Sequence, residues 1–202
     1  MTMDNFDHLF NQQEINSSKQ IKGRLHISRE DKHKSILVAR HEELDELFPK
    51  DIYKDTSYHL ISSDNFGSIE LLKVLVSRLQ PKYIGISTWS YNKDFIELVK
   101  EYLIQGIEID FFVDVSIKSR KTALYAQLVT VSQEYNNFNI KFHYKLHSKV
   151  TIFESDKYKI SVEASANYSN NTRIENFTIT ESKELFDFHK NWMSEIIDKQ
   201  HG

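Results

Sequence analysis

The 202-residue chain predicts an α/β protein, with a mixed, largely parallel β-sheet flanked by helices on both faces. Three observations carry that prediction. From about residue 57, short runs rich in β-branched and aromatic residues alternate with longer amphipathic runs, the order expected of βα units. Proline and glycine fall at the ends of the amphipathic runs, at Pro49, Pro81 and Gly106, where they stop helices. A hydrophobic content of 40% is enough to fill a sizeable core in one domain.

Residues 1–30 are polar and without a clear period, and are expected to form an N-terminal arm or extension to a domain spanning 31–202. Ser35 to Ala39 reads as a short strand, and His41 to Phe48 as a short helix closed by Pro49. Tyr58 to Ile61 reads as a strand, Phe66 to Leu79 as a helix, Tyr83 to Thr88 as a strand and Phe95 to Ile104 as a helix. Ile107 to Val115 is a strand, and Ser119 to Tyr135 one long helix. Strict alternation begins again at Phe138 and continues to Lys149, the period of a half-buried strand. Val150 to Phe153 and Tyr158 to Val162 then form a hairpin around Ser155-Asp156-Lys157. Glu175 to Thr180 adds a strand, and Ser182 caps a last helix from Lys183 to Lys199.

The chemistry concentrates in that hairpin. On the alternating stretch, Lys141, His143, Lys145, His147 and Lys149 share one parity. Residues two apart on a strand have roots roughly 6–7 Å apart, so an imidazole and an ammonium there reach a single phosphate. Imidazole is the side chain suited to attack or protonate near neutral pH, and lysine supplies charge for the non-bridging oxygens. Lys145 joins them as a substrate-binding candidate. The returning strand brings Ser165 and Asn167 beside the start of the first, each with neutral groups that bind phosphate oxygens. His143 and His147 stand about 13 Å apart on such a strand, too far to share one metal ion. No metal or other cofactor is expected.

The pattern His147-x-Lys149, an acid five residues later at Glu154, then Ser165-x-Asn167 and the downstream acid Glu175 resembles the signature of the phospholipase D superfamily. The stretch Ala164-Ser-Ala-Asn-Tyr-Ser-Asn-Asn-Thr-Arg-Ile-Glu175 is similar to the form in short phage and prophage members, each with a single motif. Three features depart from the pattern: Glu154 replaces aspartate, Ala164 replaces glycine, and the segment between them is about three residues longer than usual. The resemblance implies a phospholipase D-like α/β/α sandwich and phosphodiester hydrolysis without a metal. His147 would form a covalent phosphohistidine, with Lys149 and Asn167 binding the phosphate, Ser165 lending a hydroxyl and Glu175 orienting the imidazole. Glu154 is carried as a substrate-binding position. One motif supplies half a site, so the resemblance also implies a homodimer that pairs two copies of His147. No second complete motif occurs: the residue five after Lys145 is Val150.

Substrate class follows from setting. No apolar run approaches a membrane span, and the opening Met-Thr-Met-Asp-Asn-Phe-Asp lacks the basic and apolar regions of a secretory leader. With no cysteine, a reducing, cytoplasmic setting in a bacterial or phage-infected cell is expected. DNA is then the expected phosphodiester. The net charge of −3 argues against blanket attraction to nucleic acid, yet Lys118, Arg120 and Lys121 cluster before a helix, and 19–34 is mostly basic. Trp89 follows a buried strand, where sites form in parallel sheets, and is a candidate to stack on a base. Trp192, beside Phe188 and Ile196, reads as core or interface. The alternative function is a catalytically inactive phospholipase D-like protein that binds nucleic acid or belongs to a virion.

Overall fold

The computed structural model describes residues 23–29, 32–38, 44, 51–62, 67–169 and 173–198. Their elements are β1 (Gly23–Arg29), β2 (Lys32–Val38), β3 (Thr56–Ser62), α1 (Ser68–Leu79), β4 (Tyr83–Thr88), α2 (Lys93–Ile104) and β5 (Glu108–Asp114). There follow α3 (Ile117–Arg120), α4 (Thr122–Glu134), β6 (Phe138–His143), β7 (Val150–Glu154), β8 (Lys159–Ala164), β9 (Glu175–Glu181) and α5 (Lys183–Asp198).

The described strands form one open sheet in the order β2-β1-β3-β9-β8-β7-β4-β5-β6, a mixed α/β arrangement of the expected kind. β3, β4, β5 and β6 run in one direction, as their βα order predicts. β4, β5 and β6 are direct parallel neighbours, whereas β9, β8 and β7 insert between β3 and β4 and pair antiparallel with everything they touch. The chain after β3 therefore crosses three strands before reaching β4. The motif hairpin lies mid-sheet, where both edges of each strand are hydrogen-bonded.

Burial explains the layers. Every residue of β4 is buried, the mark of a strand covered on both faces. Gly85 is needed there, because a Cβ would lie 2.8 Å from Ile152 Cγ1 on the neighbouring strand. On one face, Leu71, Leu72, Leu75 and Leu79 of α1, Phe95 and Val99 of α2 and Leu128 of α4 join Ile84, Ile86, Phe111, Val113 and Phe153 in the main core. On the other, Phe186 and Met193 of α5 pack on Tyr83, Phe112, Val150 and Ile152, with Trp192 beside them. Alternate residues of β5 and β7 thus serve opposite layers. Trp192 joins this second core, while Phe188 is 61% exposed.

Helix ends follow local rules. Asn92 Oδ1 accepts from Phe95 N at 2.9 Å and caps α2, and Ser182 Oγ accepts from Leu185 N at 3.3 Å to cap α5. Gly106, at φ 84°, ends α2 in the left-handed region that glycine adopts without strain.

Three expectations differ from what is found. The long helix over 119–135 is two, α3 and α4, broken at Lys121 (φ −141°, ψ 58°); Lys121 Nζ is drawn to Tyr91 O at 2.8 Å. The strand from Phe138 stops at His143. Lys145 takes a left-handed turn (φ 61°), and Leu146 to Lys149 form a link that carries the chain past β5 and β4 to β7. Part of the region read as an arm is strand β1, paired with β2 and β3. Residues 1–22 and most of the helix expected over 41–48 lie outside the described residues; Leu44 is helical and buried.

Candidate active site

Two backbone hydrogen bonds build the site. Ala164 N donates to Lys149 O at 2.9 Å, which extends the β7–β8 pairing past its last strand residue, and Ser165 N donates to Asn176 O at 3.0 Å. The segments carrying His147 and Lys149, Ser165 and Asn167, and Glu175 therefore lie side by side. They sit beyond the carboxyl ends of β4 and β5, where open parallel sheets place their sites. Ala164, the residue in the glycine position of the resemblance, is an ordinary strand residue outside the positive-φ set; the backbone there needs no glycine.

His147 is exposed and Lys149 half-buried. Lys149 Nζ donates to His147 O at 2.7 Å and lies 3.0 Å from His147 Nδ1. Burial lowers the pKa of this ammonium, and the negative charge of Glu175 works the other way. Ser148, between them, hydrogen-bonds through its hydroxyl to that of fully buried Ser87 in β4. The link is thus anchored at its middle residue while its neighbours face outward.

Ser165 Oγ donates to Glu175 Oε2 and accepts from Asn176 N at 3.0 Å. Asn167 Oδ1 accepts from Trp89 N at 3.2 Å, and the Thr88 hydroxyl lies at 3.2 Å from it and at 3.0 Å from Ser90 O. The carboxamide oxygen is thereby committed to the protein, and the amide nitrogen is turned the other way, a donor suited to a phosphate oxygen. Behind Asn167, Tyr168 OH hydrogen-bonds to Thr151 Oγ1 at 2.6 Å, and its ring lies 4.7 Å from that of Phe95. The Trp89 ring is 5.7 Å from that of His147, tilted by 45°.

Five of the six motif side chains, His147, Lys149, Ser165, Asn167 and Glu175, therefore gather with Trp89 at one end of the strands. Two other candidates do not join them. Glu154 pairs with Tyr83 at the opposite end of β4, four residues and roughly 13 Å along the strand from Val150. It is held there by Lys159 and by Lys190 at 3.1 Å, so its carboxylate ties α5 to the hairpin. Lys145 is exposed in the turn after β6, its ammonium 5.9 Å from the ring of Tyr144. The run of cations on one strand face also dissolves: His143 is 3% exposed and stacks on Phe112, and burial, then the charge of Lys141, lowers its pKa.

Asp114 was carried by no sequence motif. It is 5% exposed at the end of β5, and its carboxylate accepts from Ser116 N at 2.9 Å, from the Ser116 hydroxyl, and from Leu146 N at 3.0 Å, one residue before His147. Burial alone would raise this carboxyl, but the bonds from Ser116 and Leu146 and the charge of Arg120 outweigh it and hold the pKa below the ordinary carboxylate value. The stabilisation is therefore fully present above the unfolded pKa of about 3.9 and is lost as pH falls through that value toward the folded one. Chemical denaturation of wild type and Asp114→Asn should show a wild-type advantage at pH 7 that shrinks below about pH 4. An advantage independent of pH would contradict this account.

No family model and no curated protein matches the sequence. Solved structures do resemble it. The open mixed α/β sheet is shared with solved structures, one of them described as a phospholipase D family member. NucT from Helicobacter pylori superposes with a TM-score of 0.52 at 20% identity, covering 64% of this chain and 89% of its own. Nuc from Salmonella typhimurium, described as a phospholipase D family member, gives 0.52 at 16%, covering 68% and 93%. Polyphosphate kinase from Porphyromonas gingivalis gives 0.53 at 12%, covering 71% of this chain and 26% of that one. At these identities the likeness is one of fold. Among the described residues, no helix is long and apolar enough to cross a membrane.

Proposed function

We propose that the protein is a phosphodiesterase, a nuclease acting on DNA through a covalent phosphohistidine at a site shared across a homodimer. The observation that carries this reading is the convergence of His147, Lys149, Asn167 and Ser165 at one sheet end, an exposed imidazole among three side chains whose donors suit phosphate oxygens. The resemblance of the His147–Glu175 motif to the phospholipase D signature and the fold shared with NucT and Nuc support the same class.

In this mechanism a phosphate draws the Lys149 ammonium from His147 Nδ1 onto its own oxygens. The ring then carries its proton on Nδ1, where Glu175 orients it, and attacks phosphorus through Nε2. A P–N bond forms as the P–O bond to the leaving group breaks, and His147 of a second copy protonates the departing oxygen. Water then attacks the phosphohistidine, giving its proton to that second imidazole and releasing phosphate monoester. Asn167 and Lys149 hold the non-bridging oxygens throughout, and Ser165 joins them when its hydroxyl turns from Glu175 to the phosphate. The imidazole itself supplies the nucleophile.

Incubation with single- and double-stranded DNA in EDTA tests the reading, with cleavage expected. Binding without cleavage, or cleavage only with added magnesium, would overturn it. Light scattering should give a mass near twice the chain's 23.9 kDa; an active monomer would remove the shared site.

A further inference from the structure

Of the three cations clustered before α4, only one faces the site. Lys121 is engaged by Tyr91 O, and Lys118 lies over the rings of Phe142, at 4.6 Å, and Tyr125, at 5.5 Å. Arg120 instead places its guanidinium 3.9 Å from the centroid of the Trp89 ring, and that ring neighbours His147. Arg120 Nη2 donates to Trp89 O at 3.2 Å and Nε donates to Ser116 Oγ at 2.9 Å. Ser116 is bound in turn to Asp114, which holds Leu146 beside His147. Asp114, Ser116, Arg120, Trp89 and the His147 link thus close a ring of contacts around the loops that follow β4, β5 and β6.

Two consequences follow. The guanidinium is held over the indole by its two hydrogen bonds, yet the side chain is exposed. A guanidinium has five N–H donors in a planar fork, and the two bonds above use only part of that set. What remains is an exposed guanidinium with unused N–H donors, one ring away from the imidazole. Such a surface suits an unpaired base, which can stack on a guanidinium or aromatic plane, with a phosphate on the donors. A base inside a duplex presents no free face to it.

We propose that Arg120, backed by Trp89, is a subsite for the nucleotide flanking the scissile phosphate in single-stranded nucleic acid, a step that rests on the phosphodiesterase reading above. The test compares wild type, Arg120→Ala, Arg120→Lys and Trp89→Phe. Binding of a labelled single-stranded oligodeoxynucleotide is read by fluorescence anisotropy. Hydrolysis is read on that oligonucleotide and on bis(p-nitrophenyl) phosphate, a diester with no neighbouring nucleotide. Arg120→Ala should weaken oligonucleotide binding about tenfold, the size of one lost stacking partner. It should lower the ratio of kcat/KM for the oligonucleotide to that for the small diester by a similar factor. Arg120→Lys, which keeps the charge without the plane, should recover little of the loss. Unchanged binding would overturn the subsite. So would an equal fall in kcat on both substrates with KM unmoved, since Arg120 would then act only by positioning His147. If wild type hydrolyses neither substrate, the phosphodiesterase reading fails, and the binding measurements alone still decide the subsite.

Discussion

Replacing His147 with alanine should lower the rate of DNA cleavage in EDTA by at least about 10³-fold, because it removes both the nucleophile and, in the partner copy, the proton donor. The site explains why nothing nearby substitutes for it. Lys149, the closest potential nucleophile, is held by His147 O, and Ser165 is bound to Glu175. His143 is buried and stacked on Phe112, and the chain turns between it and the link. Binding should persist in the variant, since Lys149, Asn167 and Arg120 remain. Mixing is the sharper measurement: with excess His147→Ala chain, activity should fall further than dilution predicts, as wild-type copies are drawn into dimers with one imidazole. Substantial cleavage by His147→Ala would remove the histidine from the chemistry.

Phe95→Ala should destabilise the protein by about 3–5 kcal/mol, the cost of emptying a fully buried aromatic position. Phe95 is 0% exposed, and its ring lies 5.2 Å from Phe111, 6.0 Å from Tyr91 and 4.7 Å from Tyr168. It is the point where α2, the sheet and the Asn167 turn meet, so no single neighbour can close the cavity. The loss should also reach the site: Tyr168 follows Asn167 directly, and with less behind its ring the carboxamide is less firmly placed. Urea unfolding reads the first effect and kcat below the unfolding transition reads the second. A loss under about 1 kcal/mol would show that the aromatic cluster repacks around the gap.

The site was legible where its geometry is short-range. His147, Lys149, Ser165 and Asn167 are the two arms of one hairpin, and antiparallel pairing with a tight turn brings its ends together whatever the rest of the chain does. Trp89 was legible from the rule that sites lie beyond strand ends. Glu154 was misplaced because its partners are partly distant in sequence: Lys190 lies on α5, 36 residues away. Lys145 was misplaced because alternation looks the same in a strand and in a strand followed by an extended link, and only the need to pass β5 and β4 puts a turn there. Asp114 and Arg120 had no motif, since each acts through backbone groups of other loops.

By itself the amino-acid sequence determined the alternation of strands and helices, the cap at Ser182, and the hairpin that sets an imidazole beside an ammonium, all of which follow from dihedral preferences and neighbours a few residues apart. Only the tertiary structure decided that the hairpin enters the sheet between β3 and β4, that Glu154 serves the far end, and that Trp89 stands beside His147 with Arg120 over its ring. Those outcomes depend on which apolar faces bury one another across long loops, a collective balance of burial against chain entropy that no local pattern encodes.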